Sequence, residues 1–318
     1  MSDTTPVAIA CQGGGSHTAF SAGVLKGLLR DWNERYELVG ISGTSGGAFN
    51  ALATWYGLVT ADEGRAIELL DAIWTDLAAD TVVDRATNQW LVGWDRIESS
   101  GVPWPRISPY LTPGSELGKA RIRRILERHI DFDSVPDLCG RDAPELVVGT
   151  VDINAGVFET FTNERVTPEA ILASAAVPEL FEAVEINDHY HWDGLFSQNP
   201  PIDDLLTLDS GRKPEELWVI QINPQEREDE PTSLAEIADR RNELSGNISL
   251  NQELRFVKRV NRWIDDGLLP TEDFATVDIR RIEFDRAYHC STKLDRRPAF
   301  IQELMNLGEE RAAAFYAE

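Results

Sequence analysis

A serine framed by glycines, Gly43-Thr44-Ser45-Gly46-Gly47, has the Gly-x-Ser-x-Gly spacing that an acyl-transfer nucleophile needs. One βαβ unit earlier stands a second glycine-framed segment, Gly13-Gly14-Gly15-Ser16-His17. A loop of that kind offers backbone N–H groups, and Gly13, Gly14, Gly15 and Ser16 are the candidate donors to an oxyanion. Nucleophile and donors together describe carboxylic-ester chemistry.

Each segment follows an apolar, strand-like run (Val7 to Cys11; Glu37 to Ile41) and opens a helix-like stretch. Parallel strands place their following loops at one sheet edge, so neighbouring strands would bring the two loops together. At a strand-to-helix junction the serine can be held exposed, with the positive end of the helix behind it. Gly43 and Gly47 relieve crowding where the chain turns sharply.

A serine nucleophile needs a base. The five histidines are His17, His129, His189, His191 and His289. His289, late in the chain, is where an α/β-hydrolase triad would place its base, but that fold sets several strands ahead of the nucleophile strand and here only one comes first. A carboxylate is the alternative. The stretch from Ala170 to Ile202 reads Ala-Ile-Leu-Ala-Ser-Ala-Ala-Val-Pro-Glu-Leu-Phe, then Trp192-Asp193-Gly194-Leu195, then Asn199-Pro200-Pro201-Ile202.

With these stretches in order, the chain resembles the patatin-like phospholipase family over roughly residues 7–205. The matching positions are Gly13 to Thr18 for the oxyanion loop, Gly43 to Gly47 for the elbow, and Asp193 to Leu195 for the Asp-Gly-Gly/Ala motif. The resemblance implies a Ser45–Asp193 dyad working through an acyl-enzyme without a metal or cofactor, with His17, Gly43, Gly47 and Gly194 in support. It also implies a three-layer α/β/α fold around a mostly parallel sheet. Three positions depart from the family pattern: His17 and Thr18 stand where a basic residue and a glycine are usual, and Leu195 replaces a small residue. At position 17 a permanent charge becomes a titratable one.

Other chemistries have weaker signals. His189-x-His191 beside Asp193 hints at a metal cluster, but no companion Cys or His spacing supports zinc, and no metal is expected. The glycine loop lacks the third glycine of a dinucleotide fingerprint at Thr18. The three cysteines (Cys11, Cys139, Cys290) are scattered, which suggests neither a disulfide framework nor a zinc site.

The net charge is −24, from 54 acidic and 30 basic residues, and only five of the basic ones are lysines. Such a surface repels nucleic acid and anionic membranes, so at most peripheral contact with a lipid or granule surface is expected. Acidity with a lysine deficit also suits a high-salt cytoplasm. The start of the chain lacks a basic, then apolar, secretory pattern, and no apolar run reaches the ~20 residues of a membrane span. A cytoplasmic protein is expected.

Beyond the motifs, strand and helix patterns alternate. Helices are expected over Ala48 to Tyr56, Ala61 to Leu77, Lys119 to Ile130 and Thr167 to Ala175, and strands over Leu146 to Thr150, Val157 to Thr162 and Trp218 to Ile222. Residues 80–115, with Trp90, Trp94 and Trp104 among prolines, read as an insertion that either acts as a lid or anchors to the body. Residues 206–318 read as a helical extension on the same domain, with a strand at Thr276 to Phe284. Lipid acyl esters are the first substrate expectation, and an intracellular polyester such as polyhydroxyalkanoate the second. A silent acyl-binding or protein-interaction module is the alternative from another class.

Overall fold

The computed structural model describes residues 4–79, 84–85, 88–89, 92–93, 108–112, 114–208, 211–286 and 288–317. The expected lid, including Trp90, Trp94 and Trp104, lies mainly outside these residues.

Eight strands form one sheet: β1 (Thr5–Cys11), β2 (Tyr36–Gly43), β3 (Glu145–Asp152), β4 (Val157–Thr162), β5 (Val184–Ile186), β6 (His189–Asp193), β7 (Glu216–Gln221) and β8 (Asp278–Glu283). The order is β5-β6-β3-β2-β1-β7-β8, with β4 also paired to β3. The pairs from β3 through β2, β1 and β7 to β8 are parallel, whereas β4, β5 and β6 add antiparallel pairing at the β3 end. This is a three-layer α/β/α fold around a mostly parallel sheet.

Period-2 alternation sorts β1 between the two layers. Val7, Ile9 and Cys11 face the larger core with α1 (Ala19–Arg30), α2 (Gly46–Thr60), α3 (Glu63–Leu77), α4 (Gly114–His129), α5 (Pro168–Ser174) and the last helix. Ala8 and Ala10 face a second core, where Leu250, Leu254 and Val257 of α6 (Leu234–Asp265) pack. The last helix, α7 (Pro298–Ala317), lies along α1. Trp218 of β7 is fully buried against Tyr36 and Phe315, an anchor whose truncation to alanine costs ~3–5 kcal/mol.

The part after residue 206 contains the two expected strands as well as helices. It adds two parallel strands to the sheet and one helix to each layer. The expected strands and helices recur with shifted ends: Val157–Thr162 agrees residue for residue, while the expected Lys119 helix begins at Gly114. No helix among the described residues is long and apolar enough to cross a membrane.

Candidate active site

The register of β3 explains how a serine near the start meets an aspartate far along the chain. β4 occupies one edge of β3 along Val147 to Asp152. β2 and β6 share the other edge: β2 pairs with Glu145 to Val148 in parallel, and β6 pairs with Thr150 to Asp152 antiparallel. The two strands meet end to end across Gly149, so the last residue of β6, Asp193, faces the turn that leaves β2. That turn is Thr44-Ser45.

Ser45 sits at φ 57° and ψ −130°, a positive φ that a residue with a side chain adopts only under constraint. Four contacts impose it. The Ser45 N–H donates to Ser174 Oγ (2.9 Å), and the Ser174 hydroxyl donates to the Gly149 carbonyl (2.7 Å). Thr44 Oγ1 donates to the Gln198 carbonyl (3.0 Å), and the Gly47 N–H closes the turn on the Thr44 carbonyl (2.9 Å). Gly47 must be glycine, because a Cβ there would run into the Cys11 carbonyl oxygen. Helix α2 then starts directly behind Ser45.

Asp193 is fully buried. Its Oδ1 accepts the Leu195 N–H at 2.9 Å, and the Ser45 hydroxyl lies near enough to pull its titration downward. Oδ2 is buried without a well-formed bond, leaving the carboxyl short of donors. Burial raises its pKa to about 7, against the weaker pull of the Ser45 hydroxyl and the Leu195 N–H. A carboxyl poised near neutrality beside a hydroxyl is equipped to exchange a proton with it.

The glycine loop faces the elbow. The Gly13 N–H donates to Asn199 Oδ1 at 2.6 Å, so Gly13 is not available to an oxyanion, contrary to the sequence expectation. The N–H groups of Gly14, Gly15 and Ser16, at the start of a short 3-10 helix, remain as candidate donors. Gly15 has φ 59° and packs against the Lys293 carbonyl, which leaves no room for a side chain.

A buried network of amide side chains holds this loop. Gln12 Oε1 accepts the N–H groups of Ile222 (2.9 Å) and Asn223 (2.8 Å), and its Nε2 donates to the Asn199 carbonyl (3.1 Å) and Asn247 Oδ1 (3.0 Å). Asn199 and Asn223 both donate to the Gly13 carbonyl, at 3.3 and 3.2 Å. Asn247 on α6 donates to the Pro224 carbonyl at 3.1 Å. Sequence reasoning quoted Asn199 and Ser174 only as part of a resemblance, and missed Gln12, Asn223 and Asn247. The available signal was an amide at the C-terminal end of each of two apolar strands, β1 and β7.

His17 is buried, and its Nε2 lies 2.7 Å from Thr292 Oγ1 among Phe284, Tyr288 and Phe300. Burial foremost, then the charge of Lys293, drives its pKa down to about 3. The ring is therefore neutral, not the titratable charge expected from its type. His289 Nδ1 is engaged by Ser291, through its hydroxyl (2.9 Å) and its N–H (3.2 Å).

His189 and His191 do lie on one face. His189 Nδ1 is 2.5 Å from Asp152 Oδ2, and His191 Nε2 is 2.8 Å from Glu159 Oε2. Among the described residues, Asp152, Glu159 and His191 bring donor atoms within 4.8 Å of one another, close enough to hold a metal ion. These groups are already paired among themselves, and the Ala155 N–H foremost holds the Asp152 carboxyl down at about 2. A cavity of about 450 Å³ among Leu25, Trp32, Tyr36 and Leu58 opens at the opposite end of the strands and shares no residue with the Ser45 site.

Residues 9–206 match the model of the patatin-like phospholipases, and the chain belongs to that family. Comparison with curated proteins finds no match. Among solved structures the chain is similar to VipD from Legionella pneumophila, at 12% identity and TM-score 0.45, over 99% of this chain and 67% of that one. It is also similar to the type III effector protein ExoU, at 15% identity and TM-score 0.37, over 100% of this chain and 56% of that one.

Proposed function

We propose that this protein is a carboxylic-ester hydrolase for hydrophobic acyl substrates, with Ser45 as nucleophile and Asp193 as the proton carrier. The observation that carries this reading is the β3 register, which sets the fully buried Asp193, its pKa raised to about 7, at the end of β6 facing the turn that holds Ser45. Ser45 Oγ attacks the ester carbonyl carbon while Asp193 takes the hydroxyl proton. The carbonyl oxygen, now an oxyanion, receives the Gly14 and Gly15 N–H groups. The C–O bond to the leaving alcohol breaks as Asp193 returns the proton to it, which leaves an acyl-enzyme on Ser45. Water then attacks this ester, Asp193 accepts a proton from the water, and the fatty acid departs as the serine is restored.

Labelling with a fluorophosphonate probe and turnover of p-nitrophenyl esters of short and long acyl chains test the assignment together. Wild-type protein labels at Ser45 and turns over; Ser45→Ala does neither, and Asp193→Asn loses turnover. Full activity of Asp193→Asn alongside inactivity of His289→Ala would transfer the base to His289 and sink the dyad.

A further inference from the structure

Helix α6 sorts its charges in a way the rest of this acidic chain does not. It is 32 residues long, about 48 Å at 1.5 Å per residue. Its acidic side chains are nearly all turned inward. Glu236 closes the capping box with Ser233. Asp239 and Glu243 pair with Arg227 and Lys293. Glu253 is held by the Ile202 N–H. Only Asp265, in the last position, is an exposed acid.

The outward face carries Arg241, Arg255, Lys258, Arg259 and Arg262, all exposed. Among the described residues only Arg241 has a carboxylate partner, Glu179, at 3.7 Å. With 54 acidic against 30 basic residues in the chain, five basic side chains against one acid is a reversal of the average. Between them stand large apolar side chains in solvent: Leu234, Ile237, Leu244, Ile248, Phe256 and Trp263. Positions 234, 237, 241, 244, 248, 255, 259 and 262 recur at helical intervals, so basic and apolar side chains form one continuous crest. Basic residues in a last turn complement the helix dipole, but that does not account for Arg255 lying well before the end, or for the neighbouring aromatic rings.

We propose that the outer face of α6 docks this protein onto an anionic lipid surface. The apolar side chains enter the boundary between headgroups and acyl chains, while the arginines and the lysine stay at headgroup level. Beside the crest, Arg255, Lys258 and Arg281 line a cavity of about 340 Å³, a basic recess whose Gln225 and Asn251 are bonded to each other and whose positive charge suits a headgroup phosphate. A second copy of the chain fits less well, because the same face presented back would bring no acids for the basic residues. The choice of a lipid occupant rests on the acyl-hydrolase reading. The inner side of the same helix turn supports it: the Ser245 hydroxyl donates to the Phe196 carbonyl (2.6 Å), and Asn247 braces the glycine loop, directly beneath exposed Leu244 and Ile248. Docking therefore brings the lipid surface within a helix width of the elements around Ser45. The overall charge argues against anionic membranes, but the charge local to this face favours them.

The test is co-sedimentation of the full chain, as Ser45→Ala, with vesicles of phosphatidylcholine alone or mixed with phosphatidylglycerol at low salt. Binding is expected to the mixed vesicles only. The combined change Arg255→Gln, Lys258→Gln, Arg259→Gln and Arg262→Gln should weaken it about a thousandfold, at ~1 kcal/mol per basic residue. Ile248→Ser with Phe256→Ser and Trp263→Ser should also release the protein, with far-UV circular dichroism and hydrolysis of a soluble short-chain ester unchanged in the otherwise wild-type background. Equal binding to both vesicle types, no binding to either, or no response to the charge changes would overturn the proposal. A dimer in light scattering that the apolar changes dissolve would assign the face to a second copy. Because Ser45→Ala is used for binding and fluorophosphonate labelling for chemistry, either reading can fail without the other.

Discussion

The two turns that face each other at the sheet edge are held by different means. The serine elbow is braced by short-range backbone geometry and by Ser174, Gly149 and Gln198, all inside the family-matched residues 9–206. The glycine loop leans on Asn199 from that segment, but also on Asn223 and Asn247 and on the Lys293 backbone, all beyond residue 206. The serine elbow is therefore self-contained within residues 9–206, whereas the glycine loop depends on the later part of the chain. Removing an elbow group should abolish chemistry at the reacting atoms. Removing a loop brace should leave the chemistry intact and misplace its electrostatic support.

The largest effect belongs to the reacting pair. Ser45→Ala and Asp193→Asn should each lower kcat/KM by ~10⁴-fold or more, read with a soluble p-nitrophenyl ester. The same aspartate also has a pH-dependent effect on stability. Its pKa is raised from 3.8 to about 7 in the folded chain, so folding binds a proton there more tightly than the unfolded chain does. The stability this supplies is present at pH below 3.8 and is lost as pH rises through about 7. Asp193→Asn should therefore melt higher than wild type above pH 7, by an amount worth up to ~4 kcal/mol at 1.36 kcal/mol per pKa unit. The gap should shrink towards pH 4, and its absence at every pH would mean that the carboxyl is solvated.

Next come the loop braces. Asn247→Leu keeps the branched outline of the side chain, though it is bulkier, and strips Gln12 Nε2 of an acceptor, and Asn223→Leu strips the Gly13 carbonyl of a donor. Either should move the Gly14 and Gly15 N–H groups and lower kcat by ~10²-fold, as misplacement by about 1 Å does, with KM and fluorophosphonate labelling much less affected. A proportional loss of labelling would place the damage in the elbow and remove the distinction between the two halves.

The contrast also explains what was legible in the sequence. The elbow is local: glycines, a serine and the preceding apolar strand are contiguous, so spacing alone located it. Asp193 is singled out by its motif, but its position across Gly149 depends on β6 pairing antiparallel with β3 up to the end of β2, a pairing that alternation in His189-Tyr190-His191-Trp192-Asp193 suggests without naming the neighbour. The amide network was out of reach because its members lie on four separate segments and amides carry no period. His17 was misread for a related reason. Its ionisation is decided by Phe284, Tyr288 and Phe300, residues more than two hundred positions away that close around the ring. Both strands of residues 206–318 were legible as runs at Trp218 to Ile222 and Thr276 to Phe284, but not that they lie beside β1 and extend the same sheet, because parallel neighbours are set by distant packing.

Ser174→Ala tests whether the elbow is as rigid as its contacts imply. The Ser174 hydroxyl accepts from the Ser45 N–H and donates to the Gly149 carbonyl, so it couples the nucleophile to the strand whose edge Asp193 shares. Alanine leaves both buried partners unsatisfied, a destabilisation of ~1–3 kcal/mol by thermal melting. The activity loss should be about tenfold, smaller than for a loop brace, because the turn keeps its backbone closure from Gly47 and the steric fit of its glycines.

The smallest effect is expected at position 17. A neutral histidine bonded to Thr292 acts through packing, so His17→Gln, which can keep a hydrogen bond to Thr292 Oγ1, should change kcat/KM by less than about threefold and leave its pH profile unmoved. A lost basic limb in that profile would show that the ring ionises in the working enzyme. The glycine loop would then be tuned by charge rather than by the amides that brace it, and the division between the two turns would have to be redrawn.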